Sequence, residues 1–175
     1  PMDYVNAHGA DATRFGVIWQ SMGGQDIRWD EAAVVAGKKF ANKIWNASRF
    51  VITRNANSKF ETRNSKQAQN LKLKTSADKQ ILVALRKTKK LVERGIEKYE
   101  FGPALHIAYD FFWHDFCDVY IEATKTQQDE NTNTILAYVL REVLKILHPF
   151  MPHVTEEIWQ KLPHATESWL IVERW

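Results

Sequence analysis

The chain has 175 residues, 45% hydrophobic and 12% aromatic, which is enough to bury one real core and too apolar for a disordered segment. Seven glycines and five prolines are too few for many short strands and tight turns, so the composition points to helices. The formal charge of +3 is unevenly spread: residues 53–98 hold 13 lysines and arginines against four acidic residues, a tract that suits a polyanion such as nucleic acid, or else a solvated lysine-rich face.

In chain order, Met2 to about Met22 reads as helix with a break near Gly9, where Ala7-His8-Gly9-Ala10-Asp11 looks like a helix end followed by a capped restart. SMGGQDIRW then interrupts the pattern. From Asp30, a good N-cap with Glu31 behind it, one helix runs to about Arg54 without a proline and spans about 37 Å at 1.5 Å per residue. Residues 55–75 lack a steady period and are rich in Asn, Ser and Lys, which predicts an exposed loop. Ser76 starts the next helix, with Ile81, Leu82, Leu85, Leu91, Val92 and Ile96 at three- and four-residue steps. A turn is predicted at Phe101-Gly102-Pro103, with Pro103 at a first helical position, before the aromatic helix AYDFFWHDFCDVYIEATK. Another helix runs from about Asn133 to Leu147, where Pro149 ends it by pushing His148 out of the helical region. A short helix reaches Leu162, and 168–175 reads as extended. The fold class is all-α: a single domain, 1–175, built as an antiparallel helical bundle with short connections.

The lone Cys117 allows no internal disulfide, so the cytoplasm is the default compartment. No apolar run approaches the roughly 18 residues of a membrane span, and Pro1 opens directly into helical pattern with no signal-peptide core. Pro1 in place of an initiator methionine suggests a piece of a longer chain.

Catalytic signatures are missing: there is no Gly-rich phosphate loop, no C-x-x-C, and no Ser or Cys nucleophile in a recognisable setting. Asp110, His114, Cys117, Asp118 and Glu122 share one face at helical spacing and have the chemistry of a metal or acid/base set. An acidic face opposite the packing residues Phe111, Phe112, Phe116, Tyr120 and Ile121 accounts for them better, with Cys117 as a buried thiol. His148 and His153, flanking two prolines, read as local structure.

The helix from Asp30 is more informative. At about 100° per residue, Val34, Gly37, Ala41, Ile44, Trp45, Ser48 and Ile52 form a core stripe, and Phe50 points nearly opposite. Lys39, Lys43, Asn46 and Arg54 fall within about 40° of Phe50. Cations for phosphates, an aromatic face for an unpaired base and an amide for a base edge are what a single-stranded loop requires. The alternative is that Phe50 covers a neighbouring helix or the 55–75 loop.

Several stretches together carry a resemblance. HGADATRF, GQDIRWDE, FANKIWNASRFV, YDFFWHDFCDVYIE and LHPFMPHVTEEIWQKL resemble the anticodon-binding helical bundle of class Ia aminoacyl-tRNA synthetases, and within that class the valyl pattern, from about residue 3 to 173. LHPFMP-x-x-T-E-E-x-W is shared with related synthetases, whereas GQDIR-x-D-E with DFFWHDFCD is narrower and favours valyl over isoleucyl or leucyl. The resemblance implies a tRNA-binding fragment of an ATP-dependent valine-tRNA ligase, itself without catalysis or cofactor. ATP and Mg2+ would be used by a catalytic domain, and mischarged tRNA handled by an editing domain, both elsewhere in the parent chain. The partner it implies is the anticodon stem-loop of tRNA(Val), with no membrane. It assigns Lys43 and Phe50 to the anticodon surface; Lys39, Asn46, Arg49 and Arg54 join them by proximity. His8, Thr13 and Ala32 depart from the common pattern, the last losing a basic residue that some relatives carry, for which Arg54, Lys59 and Arg63 offer compensating charge. A helical protein-interaction module docking an acidic partner through Phe50 and the basic tract is the alternative, as is the equivalent domain of an isoleucyl- or leucyl-type synthetase.

Overall fold

The computed structural model describes residues 2–23, 29–55, 75–127, 129–162 and 169–173. In chain order the helices are α1 (Met2–His8), α2 (Ala10–Trp19), α3 (Glu31–Asn55), α4 (Ser76–Glu97) and α5 (Phe101–Asp110). The last of these passes without interruption into a π-helical segment, Phe111–Ile121, and a closing turn, α6 (Glu122–Thr124). Then follow α7 (Glu130–Leu147), α8 (Pro152–Trp159) and a 3-10 turn, Leu170–Val172.

The local reasons are visible at the ends of the elements. Gly9 takes φ +92°, a conformation costly for a side chain, and so breaks α1 from α2 where the pattern predicts. Asp30 caps α3 through the Ala32 N–H at 2.8 Å, while Gln20 accepts from the Asp30 N–H at 2.7 Å and ties the cap to the end of α2. The predicted loop 55–75 lies outside the described residues except at its two ends. Asn55 is buried in the last turn of α3, and α4 starts at Ser76 as predicted, capped by Thr75, which accepts from the Asp78 N–H at 3.1 Å.

Other boundaries differ from the sequence expectation. The predicted turn at Phe101–Pro103 is already helix; the chain turns earlier, where Tyr99 adopts φ 60°. Pro103 is tolerated because the first-turn N–H groups have no intrahelical acceptor to lose. α7 starts at Glu130 rather than Asn133, since the Asp129 carboxylate accepts from the Asn131 and Thr132 N–H groups at 3.1 and 3.2 Å. His148 keeps helical angles (φ −56°, ψ −41°) despite the following proline, although α7 ends at Leu147 as predicted. Its Nδ1 lies 2.9 Å from Thr155 Oγ1, a local bond that rewards the helical conformation. Between extended Trp169 and Glu173 there is a 3-10 turn, not a strand.

α3, α4, the α5–π–α6 rod and α7 alternate in direction as an up-down-up-down bundle. α3 and the rod run alike, since Phe40 meets Tyr109 and Arg54 meets Thr124. α4 opposes the rod, with Gly95 against Ala104 at one end and Asp78 accepting from the Tyr120 hydroxyl at 2.8 Å at the other. α7 supplies the centre through Ile135, Leu136, Val139, Leu140, Val143, Leu144 and Leu147, all buried. An aromatic series, Phe15, Phe40, Phe112, Phe116 and Tyr120, fills the seam between α2, α3 and the rod. Asp11 joins α2 to α8 by accepting from the His153 and Val154 N–H groups at 3.1 and 2.6 Å, so it caps a helix distant in sequence.

α2 lies unusually close to α3. A Cβ added at Gly37 would sit 2.8 Å from the Ala12 carbonyl oxygen and 2.9 Å from Phe15 Cβ, neither of which is a flexible tip. Gly37→Ala is therefore expected to cost about 1–3 kcal/mol by forcing the helices apart, despite alanine's better helix propensity. Denaturant unfolding of the variant checks this; equal or greater stability would show that the α2–α3 contact yields.

The core stripe of α3 is broader and rotated from the predicted one. Ala33, Val34, Gly37, Phe40, Ile44, Ala47, Ser48, Val51 and Asn55 are buried, whereas Ala41, Trp45 and Ile52 are half-buried. Its centre lies between Phe40 and Ile44, so Phe50 falls roughly 110° away, on the flank of the stripe rather than opposite it.

Candidate nucleic-acid interface

That rotation decides what Phe50 is. The ring is half-buried, its inner edge packed on the core and the rest facing an open pocket of about 660 Å³. Asn46, Arg49, Phe50, Thr53 and Arg54 of α3 line one wall; Lys125 and Asn133, from the two sides of the α6–α7 connection, line the other. Of the six residues that the sequence singles out, the structure brings Asn46, Arg49, Phe50 and Arg54 together here. Lys39 is exposed about 16 Å back along α3, and Lys43 sits between.

The cations are not equivalent. Arg49 and Lys39 are exposed. Lys43 pairs with Asp118 at 3.1 Å, and its ammonium lies 4.9 Å from the centre of the Trp113 ring, so it is held against the π segment rather than extended into solvent. Arg54 departs most from the sequence expectation of a free phosphate contact. Its Nε donates to Asn133 Oδ1 at 2.6 Å, Nη1 to the Thr124 carbonyl and hydroxyl at 2.7 and 3.2 Å, and Nη2 to the Gln127 carbonyl. The guanidinium also lies 5.9 Å from the Phe50 ring centre. One planar fork thus ties the connection after the rod to α3, behind the aromatic platform.

Thr53, Lys125 and Asn133 are not among the site residues that the sequence singles out. Asn133 is 79 positions from Arg54, and only the fold brings the two into contact.

The alternative cluster on the rod is structural. Cys117 is buried, and burial pushes its thiol up to about 12, with Lys43 opposing and Asp118 adding to the rise. His114 and Asp118 approach at 3.5 Å on the surface. Among the described residues no group of three or more His, Cys, Asp or Glu side chains is placed to hold a metal ion. No helix among them is long and apolar enough to cross a membrane.

A larger groove, about 890 Å³, runs on the other side of α3 past Ala41 and Trp45. Its lining includes Asp11, Glu156 and Glu157, and the one lysine among its described residues, Lys38, donates to the Ala7 carbonyl at 3.3 Å. That is the wrong electrostatic lining for phosphates, whereas the Phe50 pocket has Arg49 and Lys125 on its rim and, among the described residues, no carboxylate in its lining.

Comparison with known proteins gives this geometry a family. The pattern described as the anticodon-binding domain of tRNA ligase matches residues 78–175, more than half of the chain. The chain belongs to this anticodon-binding domain family of tRNA ligases. Among its relatives, the valine-tRNA ligase of Bacillus thuringiensis subsp. konkukian is 46% identical over 182 residues, a match that takes in all of this chain and 20% of the relative. That of Thermotoga maritima is 43% identical over 179 residues, again covering the whole chain and 20% of the relative. The chain therefore spans about a fifth of the length of the relatives it matches. A solved LeuRS from Agrobacterium radiobacter K84, in a LeuRS-tRNA-LeuAMS ternary complex, superposes with TM-score 0.75 at 20% identity, over 99% of this chain and 20% of that one. This likeness establishes the shared helical fold of the domain, the all-α bundle expected from the sequence.

Proposed function

We propose that the chain is the anticodon-binding domain of a valine-tRNA ligase and holds the anticodon stem-loop of tRNA(Val), so that the acceptor end reaches a catalytic domain elsewhere in a parent chain. The observation that carries the reading is the Phe50 pocket: an aromatic platform, half-exposed, with Arg49 and Lys125 at its rim and Asn46 beside it, on a domain of the anticodon-binding family. An unstacked base needs a π-face and neighbouring donors, and the phosphates on either side need solvent-exposed cations; the pocket supplies each. Matches of 43–46% along the whole chain to valine-tRNA ligases support the choice of amino acid, whereas the LeuRS likeness concerns fold alone. ATP and Mg2+ belong, on this reading, to the catalytic part of the parent, which works in the cytoplasm.

The test is anticodon dependence in the full-length protein. A stem-loop with the valine anticodon is expected to bind more tightly than loops altered at the second and third anticodon bases, at one fixed salt concentration. Equal affinities across that panel would mean generic polyanion docking and would overturn the reading.

A further inference from the structure

The far wall of the Phe50 pocket has a chemical polarity that nothing above assigns. Asn133 is half-buried and lines the pocket, and its Oδ1 accepts from Arg54 Nε at 2.6 Å. Arginine has donors only, so the side-chain amide cannot flip: the oxygen must face Arg54 and the NH2 must face away. Among the described residues no acceptor takes the two Nδ2 hydrogens, while the Asn133 backbone N–H is used by the Asp129 carbonyl at 3.2 Å. Arg54 is itself fixed, by the Thr124 and Gln127 carbonyls on one side and the Phe50 ring on the other. The pocket therefore presents a donor of set orientation on the wall opposite the platform on which a base would stack.

We propose that Asn133 is a specificity-determining residue of the RNA site, donating from Nδ2 to an acceptor, a carbonyl oxygen or ring nitrogen, on the edge of the base stacked at Phe50. Arg54 is its positioning residue. This rests on the anticodon-binding reading and adds to it which wall reads the base edge and with what polarity. Lys125, exposed and paired with Glu122 at 2.6 Å on the same rim, serves phosphate rather than base.

Asn133→Asp separates reading from folding. Aspartate is of nearly the same shape and still accepts from Arg54, as an ion pair, so thermal stability should hold; the pocket-facing donor, however, becomes an acceptor with negative charge. In the full-length protein, the variant is expected to bind the valine anticodon stem-loop roughly tenfold or more weakly, and to shift its preference at one anticodon-loop position toward a base with an exposed amino group. A complementary measurement leaves the protein intact. Analogues lacking one base acceptor are introduced position by position; one position should lose about tenfold with the wild-type protein and nothing further with Asn133→Asp.

Phe50→Ala runs alongside as the control on the underlying reading. If Phe50→Ala weakens binding while Asn133→Asp changes neither affinity nor preference, the proposal fails and the reading survives. An equal loss for every loop, with preference unchanged, means charge repulsion alone and also overturns the proposal. If neither variant affects binding, the anticodon site itself is misassigned.

Discussion

Phe50→Ala is expected to weaken binding of the valine anticodon stem-loop to the full-length protein by roughly 1–3 kcal/mol, about 5- to 150-fold, the range measured when an aromatic platform under a base is removed. Several features of the structure make this the largest single effect on binding. The ring is packed on the core along its inner edge, so its position is set before RNA arrives and little conformational entropy remains to be lost. Its outer face opens into the pocket between α3 and the α6–α7 connection. Arg54 lies 5.9 Å from the ring centre and is held by acceptors on three other residues, so the cation beside the platform is also set in place. Because the ring is only half-buried, the variant should remain folded, and a circular-dichroism melt distinguishes lost binding from lost structure. Unchanged affinity in a folded Phe50→Ala protein would remove the platform from the account.

The largest pH-dependent effect on stability is expected at Glu142. This carboxylate is buried on α7, in contact with Lys89 of α4 and 3.1 Å from Lys145 one turn on. Burial by itself would raise its pKa, yet the hydrogen bond from Lys89 and the charge of Lys145 outweigh that and hold it below its ordinary value of 4.5. The carboxylate is thus favoured in the folded state relative to the unfolded chain. Its contribution to stability is fully present above the unfolded pKa and is lost as pH falls through the lower, folded one. Glu142→Gln should destabilise the domain by about 2 kcal/mol near pH 7, since the part-buried Lys89 ammonium loses its carboxylate partner. Lys89 keeps about a quarter of its side chain exposed, and that solvent access holds the figure below the range for a fully buried pair. The wild-type protein should lose this increment as the pH falls below 4.5, the ordinary value, and the variant should not. Denaturant midpoints measured across that window decide it: parallel wild-type and variant curves would mean that Glu142 titrates alike in both states.

How far the sequence led can be traced through particular residues. α3 is legible end to end, because Asp30 supplies its cap and no proline or glycine cluster interrupts the next 25 residues. Gly9 is legible as a break for the same local reason. What periodicity misjudges is rotation. A stripe counted through Ala41, Trp45 and Ile52 is displaced from the one centred on Phe40 and Ile44, because α2 and the rod both press on α3 and bury a wider arc than one neighbour would. Phe50 then moves from the outward face to the flank, which is why it has both a packed edge and an open one.

The π-helical stretch Phe111–Ile121, with Phe111, Phe112, Phe116 and Tyr120 buried, carries no sequence signal that separates it from an α-helix. Spacing arguments along that stretch lose force accordingly: Cys117 turns into the core while its neighbour Asp118 reaches Lys43. Arg54 is the instructive case at the site. Its charge and angle beside Phe50 are legible, but its acceptors Thr124, Gln127 and Asn133 lie 70 to 79 positions away, so its conversion from a phosphate contact into a brace is a property of the fold.

The central claim is that one α3 face, around Phe50, holds the anticodon loop. It is tested most directly by photo-crosslinking the full-length protein to a valine anticodon stem-loop that carries a photoreactive pyrimidine at each loop position in turn, and sequencing the linked peptides. The account predicts at least one anticodon position linked to the stretch from Asn46 to Arg54, with a flanking position linked near Lys125 or Asn133. Crosslinks confined to other surfaces, with none in either stretch, would contradict it.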